Sequence, residues 1–418
     1  MLIGAVLLGC LVIGVPIFAG LGIAAMVELL RSPVPLTMVA HSLFSGVDKF
    51  PLLAIPCFVL AGGIMGRAGI TEDIVRVMRI LVGGAPGGLA VVTIISCMFF
   101  AAISGSGPGT VAAVGGLLIP AMRAQGYRTD FAASVAASGG TLGILIPPSN
   151  PLIIYGVLAG VSIGDLFIAG ILPGLLMGML LTAVAVLVSL RRGYRGAGEA
   201  DGAGLPAALR RGLFSLLTPF IVLGGIYAGI VTPVEASVIA VLYALLVGLL
   251  VKRTLTPALV WEALSEASTI CGGLILIMGT AIFFGQFLAL EQVPQRLAGA
   301  LTRLTGDPTV MLFLIASFLL VIGTFMETLS TIIILTPILL PLVRQLGIDP
   351  IHFGIILVVT SEVGFLTPPL GVNLFVACNL TGRSIEQISR EVIPFILALV
   401  AGLVLLILVP QIPLLLVR

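Results

Sequence analysis

The stretch GILIPP at residues 143–148 returns as GFLTPP at residues 364–369, with an offset of 221 residues. The same offset places LIPAMRAQGY (118–127) on LLPLVRQLGI (339–348) without a gap. The aligned pairs are Pro120 with Pro341, Arg123 with Arg344, Gly126 with Gly347, Gly143 with Gly364, Pro147 with Pro368 and Pro148 with Pro369. So many Gly, Pro and Arg positions do not agree at one offset by chance. The chain is therefore an internal duplication, a pattern that many membrane transporters share.

Composition restricts where such a duplicated chain folds. Of 418 residues, 59% are hydrophobic and only 9% are charged, and the mean hydropathy is +1.27. A soluble domain carries roughly 25% charged residues, so this chain lacks the polar side chains to cover a water-facing surface. It is predicted to be an all-α polytopic membrane protein, because lipid cannot satisfy exposed backbone groups.

Apolar runs long enough to cross a bilayer occur throughout the chain. Their approximate ranges are 2–30, 51–69, 131–160, 168–190, 213–231, 234–251, 270–290, 352–380 and 393–413. The first run has no basic segment before it and no small-residue cleavage site after it. We interpret it as a spanning helix kinked at Pro16 rather than as a signal peptide.

The polar segments between the runs predict a linker and two arms. Arg191 to Arg211 holds five arginines with many Gly and Ala residues, which indicates a flexible cytoplasmic linker under the positive-inside rule. Lys252 and Arg253 follow two spans later, on the same predicted side. Ser32–Phe50 and Thr254–Ser268, which includes Trp261, are expected to lie along the membrane surface as amphipathic arms.

The orientation of the two halves follows from a count. Five full spans separate equivalent points of the repeats, provided that 88–125 and 308–346 are re-entrant hairpins. Five is odd, so the repeats are predicted to be inverted, with the binding site near the midplane between them. If the hairpins cross the membrane, this inference fails.

The hairpin tips carry the polar chemistry. FFAAISGSGPGTVAAVGG (99–116) has a run of Ser, Gly, Pro and Thr inside an apolar segment, and broken backbone at membrane depth is tolerated only where it lines a cavity or binds something. Oxygens of Ser104, Ser106 and Thr110 suit a small cation, and the amides of the next half-helix suit a carboxylate. In GTFMETLST (323–331), Glu327 falls on Ser106 under the offset. A carboxyl at membrane depth is a functional candidate by default.

The double prolines break one helix in each repeat, because proline cannot donate a hydrogen bond and clashes with the preceding turn. Unpaired carbonyls are expected beside Thr141, Ser149 and Asn150 in the first repeat. In the second repeat they are expected beside Thr360, Glu362, Thr367 and Asn373. A tip and a break together are predicted to form one half-site. Close helix packing is the better explanation of any single glycine, but not of a tip and a break that occur together in both halves.

Enzymatic function is not supported by any motif. There is no HExxH, phosphate loop or Ser/His/Asp set. The five cysteines are isolated, and His41 and His352 have no ligand set nearby in sequence. We therefore expect no catalytic residue, no cofactor and no metal other than a coupling cation. Nucleic acid is not an expected partner, and transport energy must come from an ion gradient or another chain.

Five segments together resemble the large membrane subunit of tripartite ATP-independent periplasmic (TRAP) transporters, the DctM family of the ion transporter superfamily. They are SGSGPGTVAAVGGLLIPAM (104–122), GGTLGILIPPSNPLIIYG (139–156), GGIYAGIVTPVEAS (224–237), LTPILLPLVRQLGIDPIHFG (335–354) and EVGFLTPPLGVNLFV (362–376). The resemblance covers essentially the whole chain. It implies an elevator-type carrier in a bacterial inner membrane, coupled to sodium ions and specific for an organic acid. It also implies two partners, a small four-helix membrane subunit (DctQ type) and a periplasmic substrate-binding protein (DctP type).

The resemblance further implies a division into scaffold and transport parts. The scaffold comprises 1–87 with the first arm and 213–307 with the second, and the linker is 191–212. Transport repeat 1 is 88–190, with hairpin 88–125, broken helix 131–160 and helix 168–190. Transport repeat 2 is 308–418, with hairpin 308–346, broken helix 352–380 and helix 393–413.

The site residues implied by the family pattern are two cation sets. One comprises Ser104, Ser106, Thr141, Gly143 and Pro147, and the other Thr324, Glu327, Thr360, Gly364 and Thr367. Contacts to the substrate are expected from Ser106, Gly109, Thr110, Ser149, Asn150 and Asn373. Glu327 and Thr360 stand where Asp and Asn are usual in the family, and Gly107-Pro108-Gly109 is richer in helix breakers.

Two other functions stay open at this point. A self-sufficient ion-coupled organic-anion carrier of the same superfamily is the main alternative, and neighbouring genes would distinguish it. A channel or an intramembrane enzyme is the weaker alternative, because a channel would conduct faster than alternating access allows and an enzyme would need catalytic residues.

Overall fold

A computed structural model describes residues 2–32, 34–194 and 204–417, and every regular element in these ranges is a helix. Seven of the described helices are long and apolar enough to cross a membrane. Their ranges are Phe50–Arg67, Ile163–Arg192, Leu205–Tyr227, Pro233–Val251, Pro257–Leu290, Thr328–Gln345 and Ile385–Leu408. The predicted all-α, multi-pass architecture is confirmed.

The N-terminal run is two helices rather than one. Helix α1 (Leu2–Val12) and helix α2 (Ile17–Leu29) pack against each other, and a Cβ added at Gly20 would lie 3.3 Å from the Cβ of Cys10. Ten residues of continuous helix would separate those positions by about 15 Å. The predicted single span with a kink at Pro16 is therefore wrong, because the chain folds back between the two helices.

The next helices include one that the sequence analysis did not anticipate. Helix α3 (Thr37–Val47) and a short 3-10 turn (Phe50–Leu53) lead into helix α4 (Ala54–Arg67) and helix α5 (Ile70–Val82). Helix α5 has charged residues along one face and buried residues along the other. It is too short and too polar to register as a spanning run.

The first repeat is interrupted at both predicted positions. Its elements are α6 (Gly88–Ser104), α7 (Gly107–Thr110), a π-helical turn (Val111–Gly115), α8 (Gly116–Ala124), α9 (Thr129–Thr141), a 3-10 turn (Leu142–Ile144), α10 (Asn150–Ala159) and α11 (Ile163–Arg192). We call residues 104–110 tip 1 and residues 142–149 break 1. Proline cannot continue a helix at break 1, which therefore separates α9 from α10.

The segment between the repeats differs from the prediction in two places. It consists of α12 (Gly204–Tyr227), α13 (Pro233–Leu246) with a π-helical turn (Val247–Val251), α14 (Pro257–Leu290) and α15 (Val293–Thr302). The predicted second arm joins the following span in one continuous 34-residue helix, α14. The predicted linker is also shorter, since residues 191–192 and 204–212 are helical, and its remaining part 195–203 lies outside the described residues.

The second repeat reproduces the longer helices of the first in the same order. It comprises α16 (Pro308–Gly323), α17 (Thr328–Gln345), α18 (Pro350–Gly364), α19 (Val372–Thr381), α20 (Ile385–Leu408) and α21 (Gln411–Leu414). We call residues 324–327 tip 2 and residues 365–371 break 2. The offset of 221 residues places the start of α9 on the start of α18, and the end of α10 one residue before the end of α19. The duplication is thus present in the fold as well as in the sequence.

The bases of the two hairpins lie far apart along α11. Tyr194, just after α11, accepts a bond from Gly87 N at 3.2 Å through its carbonyl and one from Arg128 N at 3.2 Å through its hydroxyl. Both ends of hairpin 1 therefore meet at one residue. Arg344, at the end of hairpin 2, donates to the carbonyl of Ala159 at 2.7 Å, just before α11 begins. A 30-residue helix is about 45 Å long.

Candidate functional site

Tip 1 gathers three oxygens into one cluster. Ser104 Oγ lies 3.0 Å from Thr110 Oγ1, and Thr110 Oγ1 donates to the carbonyl of Ser106 at 2.7 Å. Ser104 Oγ is also 3.4 Å from that carbonyl. Gly105 permits the turn because its φ of +60° falls in the left-handed region. The cluster consists of hydroxyl and carbonyl oxygens only, the ligands that hard cations prefer.

Break 1 packs directly against this cluster. A Cβ added at Gly143 would lie 2.5 Å from the carbonyl oxygen of Ser106 and 2.7 Å from Thr110 Oγ1, so only glycine allows this approach. The hydroxyl of Thr141 donates to Ser138 O at 2.8 Å. Pro147 is buried in the same break. The structure therefore brings Gly143 to tip 1, while Thr141 bonds within its own helix.

Tip 2 begins helix α17 with a carboxylate. Glu327 Oε2 accepts hydrogen bonds from Leu329 N at 3.1 Å and from Ser330 N at 3.3 Å. The equivalent Ser106 caps α7 in the same way, with Gly109 N donating to its hydroxyl at 3.3 Å. The aligned residues Ser106 and Glu327 thus both cap a helix start, Ser106 with a hydroxyl group and Glu327 with a carboxyl group. The helix-start amides proposed for a carboxylate are already used by these caps.

Break 2 meets tip 2 through backbone contacts. A Cβ added at Gly364 would lie 2.5 Å from the carbonyl oxygen of Gly323, and Leu370 N donates to Thr324 O at 3.0 Å. The hydroxyls of Thr324, Thr360 and Thr367 bond to carbonyls of their own helices: Val321 O at 2.8 Å, Ile356 O and Val363 O at 2.8 Å. The structure assembles Thr324 and Gly364, but it shows no side-chain oxygen cluster like that of tip 1 among the described residues.

One side chain joins the two repeats at this level. Asn373, at the start of α19, is fully buried and donates from Nδ2 to the carbonyl of Ala137 on α9 at 3.1 Å. A Cβ added at Gly107 would lie 3.2 Å from Asn373 Oδ1 and 3.0 Å from the ring of Phe365. Tip 1 therefore contacts residues from both repeats.

A cavity of about 570 Å³ lies where these elements converge. It is bounded by both tips, by residues flanking both breaks, and by α4, α14 and the start of α5. The polar and charged residues of its lining are Arg67, Thr71, Glu72, Ser104, Ser106, Asn150, Glu266, Glu327 and Thr328. Its mixed apolar and polar wall fits a small organic molecule with a few polar groups.

Half of the predicted substrate residues line this cavity. Ser106, Gly109 and Asn150 do, and the Oδ1 atom of Asn150 is buried with no hydrogen-bond partner among the described residues. Thr110, Ser149 and Asn373 have no exposed surface and lie behind the lining. Each already donates a hydrogen bond to a backbone carbonyl. Ser149 Oγ donates to Ile144 O, Thr110 Oγ1 to Ser106 O and Asn373 Nδ2 to Ala137 O. Their observed role is to fix tip and break geometry.

The sequence analysis overlooked the charged residues on the opposite wall. Arg67 at the end of α4 donates to Glu266 Oε2 at 2.9 Å and to Gly63 O at 3.2 Å, and its Nε is 3.8 Å from Glu262 Oε2. Glu262 and Glu266 fall within Thr254–Ser268, which the sequence predicts to be a surface arm. A charge at the end of an apolar run looks like an interfacial anchor, so only the fold places Arg67 at the cavity.

Glu362 is the other charged residue with an unusual setting. It has no exposed surface, and neither carboxyl oxygen has a hydrogen-bond partner within the described part of the chain. The repeat offset places it on Thr141, whose hydroxyl bonds to its own helix. The position was visible in the sequence beside break 2, but its isolation was not.

Long apolar helices, two broken helices and a cavity between two repeats define a multi-pass membrane protein of the solute-transporter class. A sequence profile of the tripartite ATP-independent periplasmic transporter, DctM component, matches residues 5–412. The chain belongs to this family, as the motifs predicted. It is accordingly a bacterial inner-membrane transporter component, not an enzyme.

Two relatives illustrate the range of similarity. The isethionate TRAP transporter permease protein DctMQ of Oleidesulfovibrio alaskensis is 46% identical over 407 residues, which cover 96% of this chain and 64% of that protein. The chain thus spans a little under two thirds of this relative. The C4-dicarboxylate TRAP transporter large permease protein DctM of Pseudomonas aeruginosa is 39% identical, covering 93% of this chain and 91% of that protein.

Solved structures share the fold at low sequence identity. The YdaH transporter of Alcanivorax borkumensis superimposes with a TM-score of 0.66 at 17% identity, covering 90% of this chain and 88% of that one. MtrF of Neisseria gonorrhoeae gives 0.58 at 14% identity, covering 90% and 83%. At these identities the likeness concerns the fold alone.

Proposed function

We propose that this chain is the large transmembrane subunit that carries an organic acid into the cell, driven by sodium ions, by an elevator mechanism. The observation that carries the proposal is the convergence of two tips and two breaks on one cavity. Broken helices at a repeat interface expose backbone dipoles and hydroxyls to a small solute and its coupling ions. Such a site needs no catalytic group.

The positions of the hairpin bases support inverted repeats. One base meets the end of α11 and the other base lies near its beginning, about one bilayer thickness away. Hairpins that enter from opposite faces meet tip to tip near the midplane. In the elevator mechanism, the two repeats move as one body against α1–α5 and α12–α15, and the cavity at this boundary fits that division.

Sodium is the coupling ion that fits tip 1 best. Ser104 Oγ, Thr110 Oγ1 and the Ser106 carbonyl lie within hydrogen-bond distance of one another beside the backbone of Gly143. An ion bound there would supply positive charge close to the cavity. Pro147 and Thr141 extend this first set. For the second set we propose Thr324, Glu327, Thr360, Gly364 and Thr367, around the Gly323–Gly364 contact.

The substrate class and partners come from the relatives. The names of the two relatives specify isethionate and C4-dicarboxylate, and a third, the SiaM protein of Vibrio cholerae, is named for sialic acid at 38% identity. All three are small organic acids. We infer an organic acid for this chain, together with a DctQ-type membrane subunit and a DctP-type periplasmic binding protein.

A self-sufficient carrier is the second candidate, because the fold is shared with transporters of other names. Reconstitution distinguishes the two. We expect no uptake by the chain alone, and sodium-dependent uptake of isethionate, succinate or sialic acid once the products of neighbouring small-subunit and binding-protein genes are added. Uptake by the single chain would establish the second candidate. Uptake at the same rate with and without a sodium gradient would overturn sodium coupling.

A further inference from the structure

The central cavity has an uneven distribution of charge. Three carboxylates line it, Glu72, Glu266 and Glu327, against one guanidinium, Arg67. Among the described residues of the lining, no other side chain is basic. An anionic substrate is therefore repelled by most of the charged wall and attracted at one point.

Three of the four helix starts around the cavity already have side-chain caps. Gly109 N of α7 donates to Ser106, Leu152 N of α10 donates to Ser149, and Leu329 N of α17 donates to Glu327. The fourth start, at Gly371, has no side-chain cap, and it offers only the partial positive charge of a helix N-terminus. A carboxylate or sulfonate thus finds its one full positive charge at Arg67.

Arg67 retains donors for such a group. A guanidinium has five N–H donors, and two of them are used, toward Gly63 O and Glu266 Oε2. Glu266 and Glu262 are 58% and 61% exposed, whereas Arg67 is 26% exposed. Ion pairs with such exposed partners contribute about 0–1 kcal/mol, so an incoming anion displaces Glu266 at little cost.

Contacts around the end of α4 show at which end of the cavity Arg67 lies. Thr254 Oγ1 donates to Ala68 O at 2.9 Å, and Lys252 Nζ lies 2.7 Å from Asp73 Oδ2. The end of α4 is thus tied to the end of α13, on the side where the arginine-rich linker begins. Arg67 lies at this linker-side mouth, on a helix that does not belong to either repeat.

We propose that Arg67 binds the carboxylate or sulfonate group of the transported anion at the linker-side mouth of the cavity, and that the guanidinium instead donates to Glu266 when no anion is present. This inference rests on the proposed organic-acid transport. Because Arg67 lies outside the repeats, it contacts the anion only while the tips and α4 line the same cavity. The anion therefore passes Arg67 as it moves between the tips and the linker side of the membrane.

The test uses substitutions with opposite expected signs. Proteoliposomes holding the chain with its small membrane subunit, supplied with the periplasmic binding protein, are assayed for uptake of labelled isethionate, a sulfonate, succinate, a dicarboxylate, and sialic acid. Arg67→Gln is expected to raise the half-saturating concentration about tenfold, with partial recovery in Arg67→Lys. Glu266→Gln is expected to lower it about threefold, and Glu262→Gln less, because its contact is longer. Arg296→Gln, an exposed arginine on α15, is the matched control.

A purely structural ion pair gives a different result. In that case Arg67→Gln and Glu266→Gln change the half-saturating concentration in the same direction, or leave it unchanged, and either result overturns the inference. If Arg67→Gln does not fold, the half-saturating concentration of Glu266→Gln still tests the inference, since that substitution removes only an exposed partner. A value that is not lower than that of the wild type overturns the inference. Wild-type protein that takes up none of the three acids in this complete system overturns the proposed function itself, and the inference with it.

Discussion

The two half-sites share a backbone plan but differ in how their polar groups are satisfied. At tip 1 the hydroxyls of Ser104 and Thr110 bond across the turn to each other and to Ser106 O, and break 1 is buried over them. At tip 2 each threonine bonds within its own helix, Phe325 is 66% exposed, and Pro368 and Pro369 are exposed. The two repeats therefore share one backbone geometry, with a closed half-site of hydroxyls and carbonyls at tip 1 and an open half-site with a carboxyl group at tip 2.

This difference between the half-sites predicts which of the two tips opens more easily. Tip 2 contacts its partly exposed break through the Leu370 N to Thr324 O bond and the close approach of Gly364 to Gly323. A tip with cross-turn side-chain bonds and a buried break over it opens at higher free energy than a tip with these backbone contacts alone to an exposed break. We therefore expect tip 1 to behave as a fixed ion site and tip 2 to behave as the mobile side of the cavity.

The largest effect is expected where the two half-sites are alike. Gly143→Ala and Gly364→Ala each drive a methyl group to 2.5 Å from a backbone oxygen, and overpacking against backbone costs about 3 kcal/mol. Both variants should lose transport and thermal stability. Gly272→Ala, with nothing within 4 Å of the added Cβ, is the control and should match wild type. A tolerated Gly364→Ala would mean that tip 2 is not seated against break 2.

The contact between the repeats should come next. Asn373→Ala leaves the Ala137 carbonyl without its side-chain donor in a fully buried setting, at a cost of about 2 kcal/mol. Asn373→Asp keeps the shape but removes the donor, and it should be no better. Thermal unfolding of the purified protein measures both. Normal stability in both variants would contradict the view that the repeats are joined at tip 1.

A matched pair of threonines tests the closed and open half-sites directly. Thr110→Val removes a fully buried hydroxyl that serves two oxygens, so we expect a loss of about 1.5 kcal/mol and a weaker response to sodium. Thr367→Val removes a half-buried bond to Val363 O within the same chain segment, and should cost less than about 0.5 kcal/mol. Chemical denaturation gives the stability, and sodium titration of uptake gives the ion response. Equal losses would remove the proposed asymmetry.

A smaller effect than that of Thr110→Val is expected at the helix caps. Ser106→Ala removes one cap bond, worth about 1 kcal/mol. Glu327→Ala removes two bonds and a negative charge at a helix start, so it should cost a few tenths more. Glu327→Gln keeps an acceptor and should recover most of that stability while still altering sodium dependence. If Glu327→Gln behaves as wild type in a sodium titration, the carboxylate acts only as a cap.

The periodic and repetitive features of this fold were predictable. The double prolines at 147–148 and 368–369 interrupt one helix in each repeat, because each proline lacks an amide donor and clashes with the preceding turn. The Gly and Pro residues of tip 1 likewise predicted the first hairpin break, and the repeat offset placed the second at 323–331. Features that depend on partners distant in sequence were not predictable in this way. The fold-back of α1 on α2, the continuity of α14 and the position of Arg67 all follow from tertiary packing, which overrides a local apolar pattern.

By itself, the sequence determined that the chain lies in a membrane, that it is duplicated, and where each repeat is broken, since composition and proline chemistry act without reference to the rest of the fold. Only the tertiary structure decided what surrounds each polar group. It placed Thr110 and Asn373 behind the cavity wall, gave Ser106 and Glu327 the role of caps, and set Arg67 with Glu266 at the opposite wall. The physical reason is that a hydroxyl or a carboxylate has the same sequence signature whether it faces a solute, a carbonyl or another charge.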